Sequence, residues 1–415
     1  MHEIITLKNG LRIVHEPMAE VRSAAVGVWI GVGSRFEQKN EGGYAHFIEH
    51  LLFKGTSSHT AAQLADVMDG IGGQINAYTT RESTCFYARV LDTHLDTAID
   101  LLGEMFFDSL FAEEDVKSER GVIFEEIDMY DDAPEDMVSE RLMLRSFPGA
   151  LGRPILGTRR SLEGATGEAL RDFMSRHYTP DRVVVSLCGS YTADHLRRIA
   201  GLFGALEAGN SPNPRRAAYR PCFTLRRKAT EQNHLCLGFP GLAGDDERRF
   251  ALHTMSSILG GGMSSRLFQS VREKHGLCYS IYSFTASHAD TGLTGICTAL
   301  NRGSEQKALS LIFDEIRRFC DCGVTRDELS RAVEQAKSSM IMALESSSTR
   351  MNRLGSAFTA LGSCLTPDEV IDRYDAVTPE QILALARELF TPEGLSFSAV
   401  GRLADADTYK AALTL

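Results

Sequence analysis

Two histidines and a glutamate within five residues, His46-Phe47-Ile48-Glu49-His50, are side chains that could hold a metal ion and use it. On a helix, His46 and His50 stand one turn apart and Glu49 follows His46 by three positions, so all three project from neighbouring points of one face. Two imidazoles on one ion with a carboxylate beside them suit metal-assisted hydrolysis, the imidazoles binding zinc and the carboxylate moving a proton.

A helix is needed to position them, and the flanking residues supply one. Asn40 can cap its first turn, Tyr44 to Phe53 contains no proline and only Ile48 as a β-branched residue, and Gly55 offers a left-handed stop after Lys54. Phe47, Leu51 and Leu52 would pack on the opposite side. A catalytic zinc site usually takes three protein ligands, so a third must arrive from a later element. Ala112 to Tyr130 reads as that element, a helix with Glu119, Val122, Ile123 and Glu126 on one stripe and Glu125 as the neighbouring competitor.

The H-x-x-E-H order resembles the pitrilysin, or inverzincin (M16), family of zinc metallopeptidases. The family's third ligand is a glutamate 76 positions after the second histidine, and Glu126 is 76 beyond His50. The resemblance also implies an acidic residue seven positions before that ligand; Glu119 meets this for Glu126, whereas Ser118 stands there for Glu125. Glu119 would then orient a ligand or the zinc helix without touching metal. Glu49 would take a proton from the water polarised by zinc and pass it to the leaving amine.

Other segments extend the resemblance over nearly the whole chain. Gly72-Gly73-Gln74-Ile75-Asn76-Ala77-Tyr78-Thr79 and Glu82-Ser83-Thr84-Cys85-Phe86-Tyr87 are similar to the family's edge strand and its partner. Asn76 and Ala77 would lie beside a peptide added to that edge by main-chain hydrogen bonds. Leu259-Gly260-Gly261-Gly262-Met263 lacks the Gly-Lys-Ser/Thr ending of a phosphate loop. With the residues after it, the segment resembles one that sends an arginine and a tyrosine, here Arg272 and Tyr279, to the substrate and the developing oxyanion. In the processing peptidases, acidic residues ten and fourteen positions beyond the metal glutamate contact an arginine upstream of the cleaved bond; here these are Asp136 and Glu140.

Composition fits a large globular chain. At 415 residues it exceeds a single core, and 43% hydrophobic with 24% charged residues is ordinary. No apolar run reaches membrane length, so membrane insertion is not expected. The start reads as a hairpin, Ile4 to Leu7, Asn9-Gly10, then Leu11 to Val14, and not as a secretory or transit segment. Nine cysteines without C-x-x-C spacing, in apolar contexts such as Leu187-Cys188 and Ile296-Cys297, read as buried thiols of a reducing, cytoplasmic compartment. A net charge of -11 argues against nucleic acid and mildly favours cationic substrates.

The chain also repeats. Thr166-Gly167-Glu168, Thr179-Pro180-Asp181, Ser186 and Gly189 recur 212 residues later as Thr378-Pro379-Glu380, Thr391-Pro392-Glu393, Ser398 and Gly401. Ala208 to Pro221, with three prolines, Gly209 and Asn210, reads as a linker. The expected architecture is α+β: a zinc-binding catalytic domain over 1–207, the linker over 208–221, and a homologous metal-free, substrate-binding domain over 222–415. Each would be a mostly antiparallel sheet with helices on one side. The length matches the two-domain subunits resembling the mitochondrial processing peptidase, which implies a homodimer or a heterodimer with a homologous subunit. The function implied is a zinc endopeptidase with one Zn2+ per chain, acting on peptides or unfolded segments near arginine. The alternative is a non-catalytic scaffold or presequence-binding subunit.

Overall fold

A computed structural model describes residues 2–209 and 211–414, so Asn210 of the expected linker lies outside the described residues. The chain forms two compact units, and neither is a continuous half of the sequence. The first joins the segment ending at Ile127 with Arg153–Arg215 and Met342–Thr366; the second joins Asp128–Gly152, Arg216–Ile341 and the segment from Pro367 onward.

The sheet of the first unit uses β1 (Glu3–Thr6), β2 (Arg12–Pro17), β3 (Ser23–Ile30), β4 (Gln74–Thr79), β5 (Thr84–Leu91) and β6 (Val183–Gly189), in the order β1-β2-β6-β3-β5-β4. Only β2 and β6 run parallel; the other pairs are antiparallel. β1 and β2 form the hairpin expected at the start, with Gly10 at positive φ in the turn. β6 is buried along its whole length, as its Val183-Val184-Val185 run suits a strand covered on both faces.

One face carries most of the core. α1 (Tyr44–Leu51), α2 (Ala61–Gly70), α3 (Leu95–Asp108) and α4 (Glu113–Asp132) supply Phe47, Leu64, Leu102 and Ile123 to a cluster with Val26, Val28 and Val185. The opposite face is covered by the helix Ser347–Leu361, whose Met351, Leu354 and Phe358 bury Val14, Ala25, Trp29 and Val184. The approach is so close that a Cβ on Gly355 would overlap the Trp29 indole.

The second unit repeats this plan. β7 (Phe223–Arg227), β8 (Asn233–Gly241), β9 (Cys278–Ser287), β10 (Gly292–Leu300) and β11 (Ser396–Gly401) pair in the order β7-β11-β8-β10-β9, with β7 and β11 parallel. Helices Arg249–Gly260 and Pro379–Leu389 pack on one face. On the other, α5 (Pro134–Ser146) lays Val138, Leu142 and Met143 against Cys236, Leu293, Cys297 and Val400.

Each sheet therefore has its thick helical layer on one side, as expected, and a single helix on the other. That single helix comes from the other half of the sequence. The expectation of buried thiols is corrected in two ways, since several cysteines are only partly buried or exposed, and Cys236 and Cys297 oppose each other on β8 and β10 with Cα atoms 4.3 Å apart and are joined as a disulfide. Direct opposition on neighbouring strands brings the two sulfurs within bonding reach; of the other cysteines, Cys85 and Cys188 are buried and Cys322 is exposed. Among the described residues no helix is long and apolar enough to cross a membrane.

Candidate metal centre

α1 is short, and its first turn is not capped as the sequence suggested. The cap position is Gly43, at φ 92, and Asn40 takes no part. The Leu156 carbonyl approaches Gly43 so closely that a side chain would not fit. Glu37 reaches forward instead, accepting hydrogen bonds from Gly43 N at 2.9 Å and Ala45 N at 3.0 Å. Its carboxyl is fully buried, and burial pushes it up to about 8 against the pull of those two backbone donors.

With that end fixed, His46 and His50 project one turn apart, their ring centroids 4.6 Å from each other. α4 brings Glu126 to both. Its Oε2 lies 3.6 Å from His46 Nε2 and 3.7 Å from His50 Nε2, and one ligand atom from each residue falls within 4.8 Å of the others. Glu125, the neighbouring carboxylate, is exposed. The separations are too long for hydrogen bonds. They match donors around a shared ion, since three ligands each about 2.1 Å from a tetrahedral zinc would stand about 3.4 Å apart.

The electrostatics agree with that geometry. Burial, helped by the nearby His50, drives His46 down to about 3, so its imidazole is neutral and able to donate a lone pair. His46 Nδ1 is buried and has no hydrogen-bond partner among the described residues. Burial also raises the Glu126 carboxyl, opposed by His50. Two imidazole nitrogens and one carboxylate oxygen converging in this way fit zinc.

Around the three donors stand the residues that would work with them. Glu49 points its Oε2 to the hydroxyl of Thr79 on β4, which donates to it at 2.6 Å. Burial raises the Glu49 carboxyl, and the Thr79 hydrogen bond opposes the rise. Glu119 is 3% exposed, with Oε2 at 3.1 Å from His50 Nδ1 and Oε1 at 2.6 Å from Lys54 Nζ. It thus contacts the imidazole of His50 at Nδ1. Glu37, Lys54 and Thr79 were not assigned roles from sequence; of these only Lys54, four residues after His50, carried a spacing signal.

β4 is one of the two edge strands of its sheet, paired among the described residues only with β5. Thr80 N donates to Ser83 O at the turn, and antiparallel pairing alternates, so the Ala77 N–H points to the open edge. There it donates to the Asn76 side chain at 2.8 Å. The remaining predicted residues belong to the second unit. Phe268–Glu273 winds as a π-helix and stacks the Arg272 guanidinium over the rings of Phe268 at 4.4 Å and Tyr279 at 4.9 Å. Tyr279 is 79% exposed. Asp136 and Glu140 lie one turn apart on α5, which Pro134 starts afresh after α4 ends at Asp132.

Comparison with known proteins gives this arrangement a family. Residues 12–159 match the model described as insulinase (peptidase family M16), and residues 164–336 match that of the peptidase M16 inactive domain. A Bacillus subtilis protein named as an uncharacterized zinc protease, YmxG, is 43% identical over 390 residues, spanning 94% of this chain and 95% of its own. A similarly named zinc protease of Streptomyces coelicolor is 42% identical, spanning 96% of this chain and 89% of its own. In fold, the crystal structure of a protease from Helicobacter pylori superposes with a TM-score of 0.91 at 22% identity, covering 97% of this chain and 99% of that one. A peptidase M16 inactive domain structure from Pseudomonas fluorescens gives 0.90 at 19% identity, covering 97% and 98%. His46, Glu49, His50 and Glu126 all lie inside the insulinase match, and the chain belongs to peptidase family M16.

Proposed function

We propose that the protein is a zinc-dependent endopeptidase of peptides or unfolded segments, with one zinc per chain held by His46, His50 and Glu126. The observation that carries this is the convergence of those three donors beside a half-buried carboxylate, Glu49, that is not one of them. Zinc bound there would supply Lewis acidity toward a water and a peptide carbonyl. Glu49 takes the proton of the attacking water and returns it to the leaving nitrogen, and its raised affinity for protons suits both halves of that transfer. Thr79 holds one Glu49 oxygen, which fixes the carboxylate's direction.

The open edge of β4 accepts an extended peptide as an added strand, with the Ala77 N–H released from Asn76 to the substrate backbone. Arg272 and Tyr279 contribute donors to the substrate carbonyl and developing oxyanion. Asp136 and Glu140 favour an arginine one or two residues before the cleaved bond. Two copies of the chain, or one with a homologous partner, form the working assembly. The alternative, a non-catalytic presequence-binding subunit, lacks an observation in its favour while the donors and Glu49 are all in place.

The deciding experiment pairs metal analysis with cleavage of a quenched peptide. Glu49→Gln keeps about one zinc per chain and loses turnover, by at least about 100-fold if it is the general base. Loss of zinc from that variant, or retained turnover, defeats the assignment.

A further inference from the structure

α1 is tied to α4 by a relay that begins outside the three donors. Lys54 sits just past the helix end, its backbone N still bonded to Leu51 O at 3.0 Å. Its Nζ lies 2.6 Å from Glu119 Oε1, and Glu119 Oε2 lies 3.1 Å from His50 Nδ1. Glu119 is buried, so its charge needs close compensation. Lys54 supplies that at one oxygen and thereby fixes the direction of the other.

The two imidazoles are supported unequally. Among the described residues His46 Nδ1 has no hydrogen-bond partner, so no side chain holds that ring from behind. His50 is less buried than His46, and Glu119 is its contact from behind. A carboxylate fixed at Nδ1 selects the tautomer that leaves Nε2 as the donor and stops rotation of the ring.

We propose that Lys54 is a positioning residue of the metal centre: it clamps Glu119, and through Glu119 it turns His50 Nε2 toward Glu126. The proposal rests on the reading of His50 as a zinc ligand. It separates Lys54 from an ordinary surface ion pair, which would add a little stability and leave metal binding alone.

The test measures zinc affinity of the full-length chain by competition with a chelator, alongside the visible spectrum of the cobalt-substituted protein. Lys54→Met weakens zinc binding about 10- to 100-fold and shifts the cobalt bands, whereas Lys54→Arg, which keeps the charge and a donor, regains most of the affinity. In a Glu119→Gln background, adding Lys54→Met changes affinity by less than about twofold, because Lys54 acts only through that carboxylate. Wild-type affinity and spectrum in Lys54→Met overturn the proposal, as does an equal loss in both backgrounds. A wild-type chain that binds no zinc overturns the ligand assignment itself, and Lys54's role falls with it. The side chain is about a third exposed, at 36%, so its replacement leaves the core intact.

Discussion

Glu126 and Glu125 are chemically identical neighbours, and only their direction on α4 distinguishes them. Successive helical residues point about 100° apart, which leaves Glu126 between two imidazoles and Glu125 in solvent. Glu126→Gln therefore abolishes zinc retention and turnover together, while Glu125→Gln alters affinity and rate by no more than about twofold, as an exposed substitution should. Metal content after dialysis decides it; zinc lost from Glu125→Gln and kept in Glu126→Gln would shift the register by one. At this scale much was legible beforehand. His46, Glu49 and His50 announce themselves by spacing within one helix, where sequence distance maps directly onto a face. Thr79 and Glu37 do not, because each acts across a chain reversal. Nothing local says that a threonine 30 residues beyond Glu49 returns to its carboxylate, or that a glutamate six residues before the cap will bond the helix start in place of Asn40.

Elements are held by their ends, and two of these ends make measurable claims. Glu37 supplies both acceptors at the N-terminal turn of α1, so Glu37→Ala leaves buried amides unbonded next to His46. The expected cost is about 1 to 2 kcal/mol of stability, with weaker zinc binding because His46 loses its fixed position. An unchanged zinc affinity in a destabilised variant would show that the helix pose is set elsewhere. The start of the helix Arg326–Ala343 is fastened differently. Glu328 receives Arg266 at both oxygens, at 2.7 and 2.9 Å, and also bonds Thr325 N and its hydroxyl in a capping box. The Arg266 hydrogen bonds lead in drawing its carboxyl down to about 2 from an ordinary 4.5. A lowered carboxyl stabilises the fold above the ordinary value and loses that contribution as pH falls toward 2. Glu328→Gln should thus be less stable than the wild type at pH 7 by about 1.5 to 3 kcal/mol. The gap should narrow as urea titrations move from pH 5 toward pH 3; a gap independent of pH would assign the loss to packing.

Across the whole molecule, the 212-residue repeat and the α+β class could be read from the sequence, but the exchange of helices between units could not. α5 and the helix Ser347–Leu361 occupy matching places in the two repeats, each just after a long helix, and a periodic pattern shows which face is apolar without showing which sheet receives it. The exchange has a direct consequence for dissection of the chain. A fragment of residues 1–210 keeps His46, Glu49, His50 and Glu126 but lacks the helix that buries Val14, Trp29, Val184 and Cys188. At about 1.5 to 3 kcal/mol for each large apolar side chain returned to water, the loss is comparable with the roughly 5 to 15 kcal/mol that stabilises a typical domain. The fragment alone is therefore expected not to unfold cooperatively and not to hold zinc, whereas coexpression with residues 211–415 restores both. Trp29 is the chain's single tryptophan, 2% exposed and bonded through Nε1 to Ser186, so its fluorescence reports on this surface. Red-shifted emission from the isolated fragment, returning to the full-length spectrum on coexpression, is the expected result. A monomeric 1–210 fragment with buried-type emission and full zinc affinity would show that the exchanged helix is dispensable, and that the zinc-bearing half is a domain by itself.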